Sequence, residues 1–395
     1  MPSPAESLRQ LAAEGLLRHQ RPLDSPTGAQ VTRDGKPLWN FASNDYLGLA
    51  RHPEIEAALI EGTKRFGAGS AASRLVCGTL PPHVLLENSI AEAKQTEAAI
   101  TFTSGFATAL GAIPAIVGKA DFIILDKLCH ACLVDAARLS GATLRIFPHN
   151  DLNRLEQLLT RIRAKAPTAR ILVATESVFS MDGDLCPLRE IVTLTESYQA
   201  LLLLDEAHGF GVLGEHGMGL AEHEKLQDRI AFQMGTFSKA AGLSGGYLAA
   251  SRDWVDLLTN RARTFIYSTA PPPSLAHAAM ISLALIRGST GHALRTKLHE
   301  NISRISPLGT PIVPIVLGSN DNALAASTAF EESGYLIPAI RYPTVARGSA
   351  RLRISVSAAH SHETMTTLAS LIHTITPPVQ ETSGQGIAMT CMPAR

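Results

Sequence analysis

The sequence has no excess charge of either sign: 35 Lys and Arg balance 35 Asp and Glu over 395 residues. Without a net field nothing gathers nucleic acid or an anionic membrane at long range, so a small-molecule partner is expected. Cysteine is scarce, with Cys77, Cys129, Cys132, Cys186 and Cys391 scattered along the chain. An odd, dispersed set argues against a disulfide framework and leaves reduced thiols as the expectation. Cys129 and Cys132 form a C-x-x-C, but no second pair completes a zinc tetrahedron, and no metal is expected. No apolar run reaches the roughly 18 residues of a membrane span. Residues 109–117 are broken by Pro114 and followed by Lys119. The first 17 residues carry Glu6 and Glu14 and lack a basic start before an apolar block, so a cytoplasmic protein without a leader is expected.

What is present is an alternation of short apolar runs with helical patterns, the one-dimensional signature of a mostly parallel sheet between helices. Strands are expected at 98–102, 122–125, 143–146, 170–175, 200–205, 230–234 and 246–249, and helices at 106–117, 132–139, 153–163 and 188–198. The run Leu201-Leu202-Leu203-Leu204 is ambiguous by periodicity, but it is short and runs through Asp205 into Gly209 and Gly211, so it reads as a central strand delivering a loop. Pro271-Pro272-Pro273 precedes a helical stretch at 274–286, where the chain is expected to leave the large domain. Elements at 312–317, 322–333, 336–340, 350–356 and 363–372 read as a smaller α+β domain. The expected organisation is an arm (1–45), a large α/β domain (46–273), a small C-terminal domain (274–377) and a flexible tail (378–395).

Chemistry concentrates in four places. Lys239 lies in Gly235-Thr236-Phe237-Ser238-Lys239-Ala240-Ala241-Gly242 with no charged neighbour between 230 and 250. An amine held away from water has a depressed pKa and becomes a nucleophile toward an aldehyde, while Thr236, Ser238 and the glycines suit a phosphate. A plain glycine-rich turn is the alternative for this segment alone. Asp205-Glu206-Ala207-His208 ends its strand 34 residues earlier. A carboxylate there can pair with a protonated pyridine nitrogen, and His208 can reach a phenolic ring oxygen. Ser104-Gly105-Phe106 opens a helix whose free N–H groups suit a phosphate, although a simple serine N-cap explains it equally well. His130 can lie flat on a ring or be a satisfied structural histidine; its neighbours do not decide.

The order of these motifs resembles the α-oxoamine synthases, fold-type I pyridoxal-phosphate enzymes, over roughly residues 18–375. It includes Asn40-Phe41-Ala42-Ser43-Asn44-Asp45-Tyr46-Leu47-Gly48-Leu49, Phe179-Ser180-Met181-Asp182-Gly183 and Ala350-Arg351-Leu352-Arg353-Ile354. The resemblance implies Lys239 as Schiff-base lysine and α-carbon base, Asp205 as pyridinium partner, and His208 and Ser180 as contacts to the ring oxygen. It implies Thr236 as phosphate ligand, Gly105 and Phe106 in the cofactor pocket, and His130 stacked on the ring and meeting substrate. Arg18, Asn44, Arg341 and Thr344 would face substrate, Arg341 gripping a carboxylate, with Arg21 close enough to Arg18 to compete for its role.

Residues 341–353 look most like the biotin-pathway member, which joins L-alanine to a pimeloyl thioester of coenzyme A or a carrier protein. Siblings using glycine or L-serine, including 2-amino-3-oxobutyrate, aminolevulinate and sphingoid-base synthases, are the alternatives. A homodimer is implied as well. The chain departs from the family's usual pattern in the glycine-poor stretch 69–74, in Tyr342 where proline is common, and in the cysteines flanking His130. Other classes fit less well. Asp-Glu-Ala-His matches a helicase motif without its phosphate loop. Gly242-x-Ser244-x-Gly246 matches a hydrolase elbow, but a strand is expected after the serine rather than before it. A noncatalytic protein that keeps the fold is a further alternative.

Overall fold

Asp34 and Gly35 both take left-handed backbone, φ 51° and 72°, and close a hairpin between β1 (Gln30–Arg33) and β2 (Lys36–Asn40). An Asp-Gly pair suits such a turn because both central positions need positive φ. The computed structural model describes residues 2–375, and the expected tail at 378–395 lies outside the described residues.

The central sheet holds seven strands: β3 (Ala98–Phe102), β4 (Phe122–Asp126), β5 (Thr143–Phe147), β6 (Ile171–Glu176), β7 (Leu201–Asp205), β8 (Phe232–Thr236) and β9 (Gly246–Ala250). Their order is β3-β9-β8-β7-β6-β4-β5, with β9 antiparallel to both neighbours and the remaining pairs parallel. The leucine run is β7, the middle strand, as its length and flanking glycines imply. Side chains alternate between two cores: Val173 and Leu204 pack on one face, Leu172, Ala174 and Leu203 on the other. Each fully buried leucine removes enough apolar surface to contribute about 1.5–3 kcal/mol. Because the strands other than edge strand β5 are covered on both faces, they read in sequence as largely apolar runs.

Helix Pro273–Arg287 packs on helices Pro53–Phe66 and Pro81–Lys94. The approach is close: a Cβ on Gly62 would lie 2.8 Å from Ser274 Cα. The following helix, Ser289–Ser303, carries no sequence expectation. The C-terminal part contains β10 (Ile312–Gly318), β11 (Tyr335–Leu336), β12 (Ala339–Ile340) and β13 (Ala350–Ser355), with helices Asn320–Glu332 and His362–Ile375. The single element expected at 336–340 is two short strands, because Pro338 supplies no N–H to a ladder. They serve different sheets: β12 joins β10 and β13, whereas β11 pairs in parallel with β2. Residues 36–40, in the expected arm, thus share a sheet with the C-terminal part. No described helix is long and apolar enough to cross a membrane.

Candidate active site

The parallel strands point their C-terminal ends one way, and the loops there carry most of the residues singled out above. Ligands of open α/β sheets bind at this edge. β7 ends in Asp205, 4% exposed, whose Oδ1 accepts the Ala207 N–H at 2.9 Å. Burial raises its pKa, with the charges of Lys239 and His130 opposing. Three residues beyond β8, Lys239 places Nζ 2.7 Å from Nε2 of His208. Burial pushes this amine down to about 8, against the pull of Asp205 and Glu176. Burial and then the Lys239 charge hold His208 well below the ordinary imidazole value. Its Nδ1 lies 2.6 Å from the hydroxyl of Tyr46, which also bonds Asn44 Oδ1 at 3.1 Å.

Arg353 reaches the same cluster from β13. Its guanidinium donates to Ser180 O at 2.6 Å, Asn44 Oδ1 at 3.0 Å and Ser355 Oγ at 2.7 Å, and through Nη2 to the Tyr46 hydroxyl at a long 3.4 Å. On the other side, His130 is exposed and its ring lies edge-on to exposed Phe106, centroids 6.5 Å apart. Its Nδ1 accepts the Cys132 N–H at 3.2 Å, with Cys132 Sγ at 3.0 Å, which favours the neutral tautomer protonated at Nε2. Its backbone N–H donates to Oε1 of buried Glu176 at 2.5 Å.

Ser104 does cap its helix, accepting the Ala107 N–H at 3.0 Å, so the simple N-cap is real. The start of this helix nonetheless lies against Thr236: a Cβ on Gly105 would come within 3.5 Å of Thr236 Cβ. Thr236 Oγ1 donates to Gly245 O at 2.6 Å and lies 2.9 Å from Ser238 Oγ. Ser244 is exposed in the loop before β9, without the preceding strand that a nucleophile elbow requires.

Arg18, Arg341 and Thr344 gather elsewhere, where the N-terminal segment meets the C-terminal part. Arg18 donates to Tyr342 O at 2.9 Å and Arg341 to Gly15 O, while exposed Thr344 gives its N–H to Arg341 O at 3.0 Å. Arg341 Nε is buried without a partner, and none of these bonds reaches the Lys239 cluster. Tyr46, Glu176 and Arg353 are site residues to which sequence reasoning gave no role. A carboxylate ending an apolar strand was the available signal for Glu176. Tyr46 and Arg353 stood inside quoted motifs, but only tertiary approach reveals what they touch.

A second cluster braces the loops. His149 bonds Asp126 at 3.0 Å through Nδ1 and Asp184 at 2.7 Å through Nε2, joining the segment that leads to His130 with the turn that carries Ser180. Burial alone would lower this imidazole's pKa, but the two hydrogen bonds and the carboxylate charges push it up to about 10. Its stabilisation is therefore complete below the ordinary value of 6.5 and is lost as the pH rises through about 10. Melting curves should fall more steeply between those limits for the parent than for His149→Gln; parallel curves would contradict the brace.

A sequence profile of the class I and II aminotransferases matches residues 36–372. The 8-amino-7-oxononanoate synthase of Bordetella petrii is 45% identical over 369 residues, 90% of this chain and 92% of that one. Among solved structures, serine palmitoyltransferase from S. paucimobilis with bound PLP and myriocin superposes with a TM-score of 0.87 at 26% identity, covering 93% of this chain and 95% of that one. The 8-amino-7-oxononanoate synthase of Francisella tularensis gives 0.73 at 26% identity, covering 85% and 97%. The sequence matches and the superposition agree: this chain belongs to the class I and II aminotransferase family, on its α-oxoamine synthase branch.

Proposed function

We propose that this protein is a pyridoxal-phosphate-dependent acyltransferase that condenses L-alanine with a pimeloyl thioester, releasing carbon dioxide and the thiol to give 8-amino-7-oxononanoate. The observation that carries the chemistry is the Lys239 amine, 2.7 Å from His208 and within the field of buried Asp205. The choice of member rests on curated relatives of that name at 42–45% identity.

The residues fit the cofactor. Asp205 offers a buried carboxylate for a protonated ring nitrogen, the Gly105 helix start and Thr236 would form a phosphate cradle, His130 is exposed for a ring to stack on, and His208 beside the amine, with Ser180 bonded to Arg353, would serve a ring oxygen. Pyridoxal 5′-phosphate, when bound, supplies an electron-poor ring that spreads the charge left at the amino acid's α-carbon. Lys239 anchors the cofactor and, freed as a neutral amine, takes the α-proton at Nζ. Arg353 suits the amino acid's carboxylate better than Arg341 does, since its charge acts directly on the Lys239 amine and its Nη2 is held only by the long bond to Tyr46. Arg18, Arg341 and Thr344 are left to orient the acyl substrate, whether it rides on coenzyme A or on a carrier protein.

Exposed Leu75, Val76 and Tyr267, 52%, 78% and 70% accessible, lie on neighbouring elements, the turn Arg74–Gly78 and the end of helix Arg263–Ile266. An apolar patch of this kind supports a homodimer, which we place in the cytoplasm. Assays with L-alanine, glycine and L-serine against thioesters of graded length test the reaction: turnover with L-alanine and a pimeloyl donor is expected, and turnover with glycine alone would move the protein to a sibling. The amine can be tested separately. The rate of cofactor capture by the apoprotein should rise with a midpoint near pH 8, where burial puts Lys239, and a midpoint above 10 would contradict it.

A further inference from the structure

Glu176 ends β6, an otherwise uncharged strand, and is 2% exposed. The parallel register places it opposite Asp205 of β7, so two carboxyl groups end neighbouring strands. One oxygen of Glu176 takes the His130 N–H at 2.5 Å, and the carboxyl also takes the Ser180 N–H. One side chain thereby holds both loops that the proposed function sets around the cofactor ring. The titratable groups facing it are Asp205 from β7, Lys239 from the loop after β8, and the Cys129 and Cys132 thiols from the segment after β4. Burial first and the Asp205 charge second push its pKa up to about 8, with Lys239 opposing. Two adjacent buried carboxyls do not both ionise near neutrality, since the second charge has neither water nor an unshared cation to stabilise it.

We propose that Glu176 is a positioning residue: as a neutral acid it ties the His130 loop and the Ser180 turn to one acceptor, and it leaves Asp205 the sole anion facing the cofactor nitrogen. This rests on the pyridoxal-phosphate reading above. Ionised, Glu176 would draw the Lys239 ammonium toward itself and add a second negative centre beside Asp205. Replaced by an apolar group, it would leave both backbone N–H groups without this acceptor.

Parent, Glu176→Gln and Glu176→Leu separate these roles. Glutamine keeps an acceptor oxygen and carries no charge, so it stands in for the neutral acid; leucine keeps only volume. In cofactor titrations followed by fluorescence quenching, E176Q should bind within about threefold of the parent, and E176L about tenfold or more weakly, because it leaves two donors unpaired. Infrared spectra of the parent at pH 7 should show the carbonyl stretch of a protonated carboxyl group, and E176Q should lack it. A merely structural glutamate would give no such band. Should E176L fail to fold, E176Q and its spectrum still decide. The proposal is overturned if E176Q loses as much affinity as E176L, if E176L binds like the parent, or if no protonated-carboxyl band disappears in E176Q. A parent that takes up no cofactor would overturn the functional reading, and this inference with it.

Discussion

Lys239→Ala is expected to lower kcat/KM by about four orders of magnitude, since a positioned base alone contributes roughly 10²–10⁴ and the same side chain anchors the cofactor. Protein stability should hardly change. The amine's hydrogen bond is to His208 Nε2, and its burial opposes its charge, so alanine removes an unfavourable group along with a favourable contact. His208 would respond: the Lys239 charge is among the causes depressing its pKa, and without it the imidazole should protonate at higher pH. Steady-state assays with matched melting curves check this. A variant within tenfold of the parent would show that another base serves the α-carbon.

Asp205→Asn should cost two to three orders of magnitude in kcat, because a neutral amide cannot stabilise a protonated ring nitrogen and the ring loses its capacity as an electron sink. The change is nearly isosteric. The asparagine oxygen can keep the Ala207 N–H bond, 2.9 Å in the parent, which turns the amide NH2 toward the cofactor and sets donor against donor. Weaker cofactor retention should accompany the slower turnover. Asp205→Glu, keeping charge but overfilling a buried position, should recover only part of either. Equal activity in the asparagine variant would mean that ring protonation is not used.

The central sheet was legible because its strands, edge strand β5 apart, are buried on both faces and therefore appear as bounded apolar runs; the observed ends differ from the expected ones by at most two residues. Less legible was whatever depends on a partner far away in sequence. The hairpin at Asp34-Gly35 carries a local signal in that residue pair, but its pairing with Tyr335–Leu336 has none. Helices Pro53–Phe66 and Pro81–Lys94 begin with proline in the first turn, a start signal that composition alone underweights.

At the site, Lys239, Asp205 and His208 declared themselves through chemistry in fixed order. Arg353 did not, because Arg351 two residues away projects from the same face of β13 and binds Asp182 at 2.6 Å instead. Only the approach of the turn at Ser180 and of Asn44 tells the two arginines apart. Arg341 attracted the carboxylate role on sequence grounds, while its actual neighbours are Gly15 and Arg18.

Borohydride reduction of the cofactor-saturated protein, followed by peptide mass mapping, tests the assignment of the amine at its root. The visible absorption band should vanish and one reduced cofactor adduct should appear on the peptide containing Lys239. An adduct on a different lysine, or a protein that stays colourless when the cofactor is supplied, would contradict it.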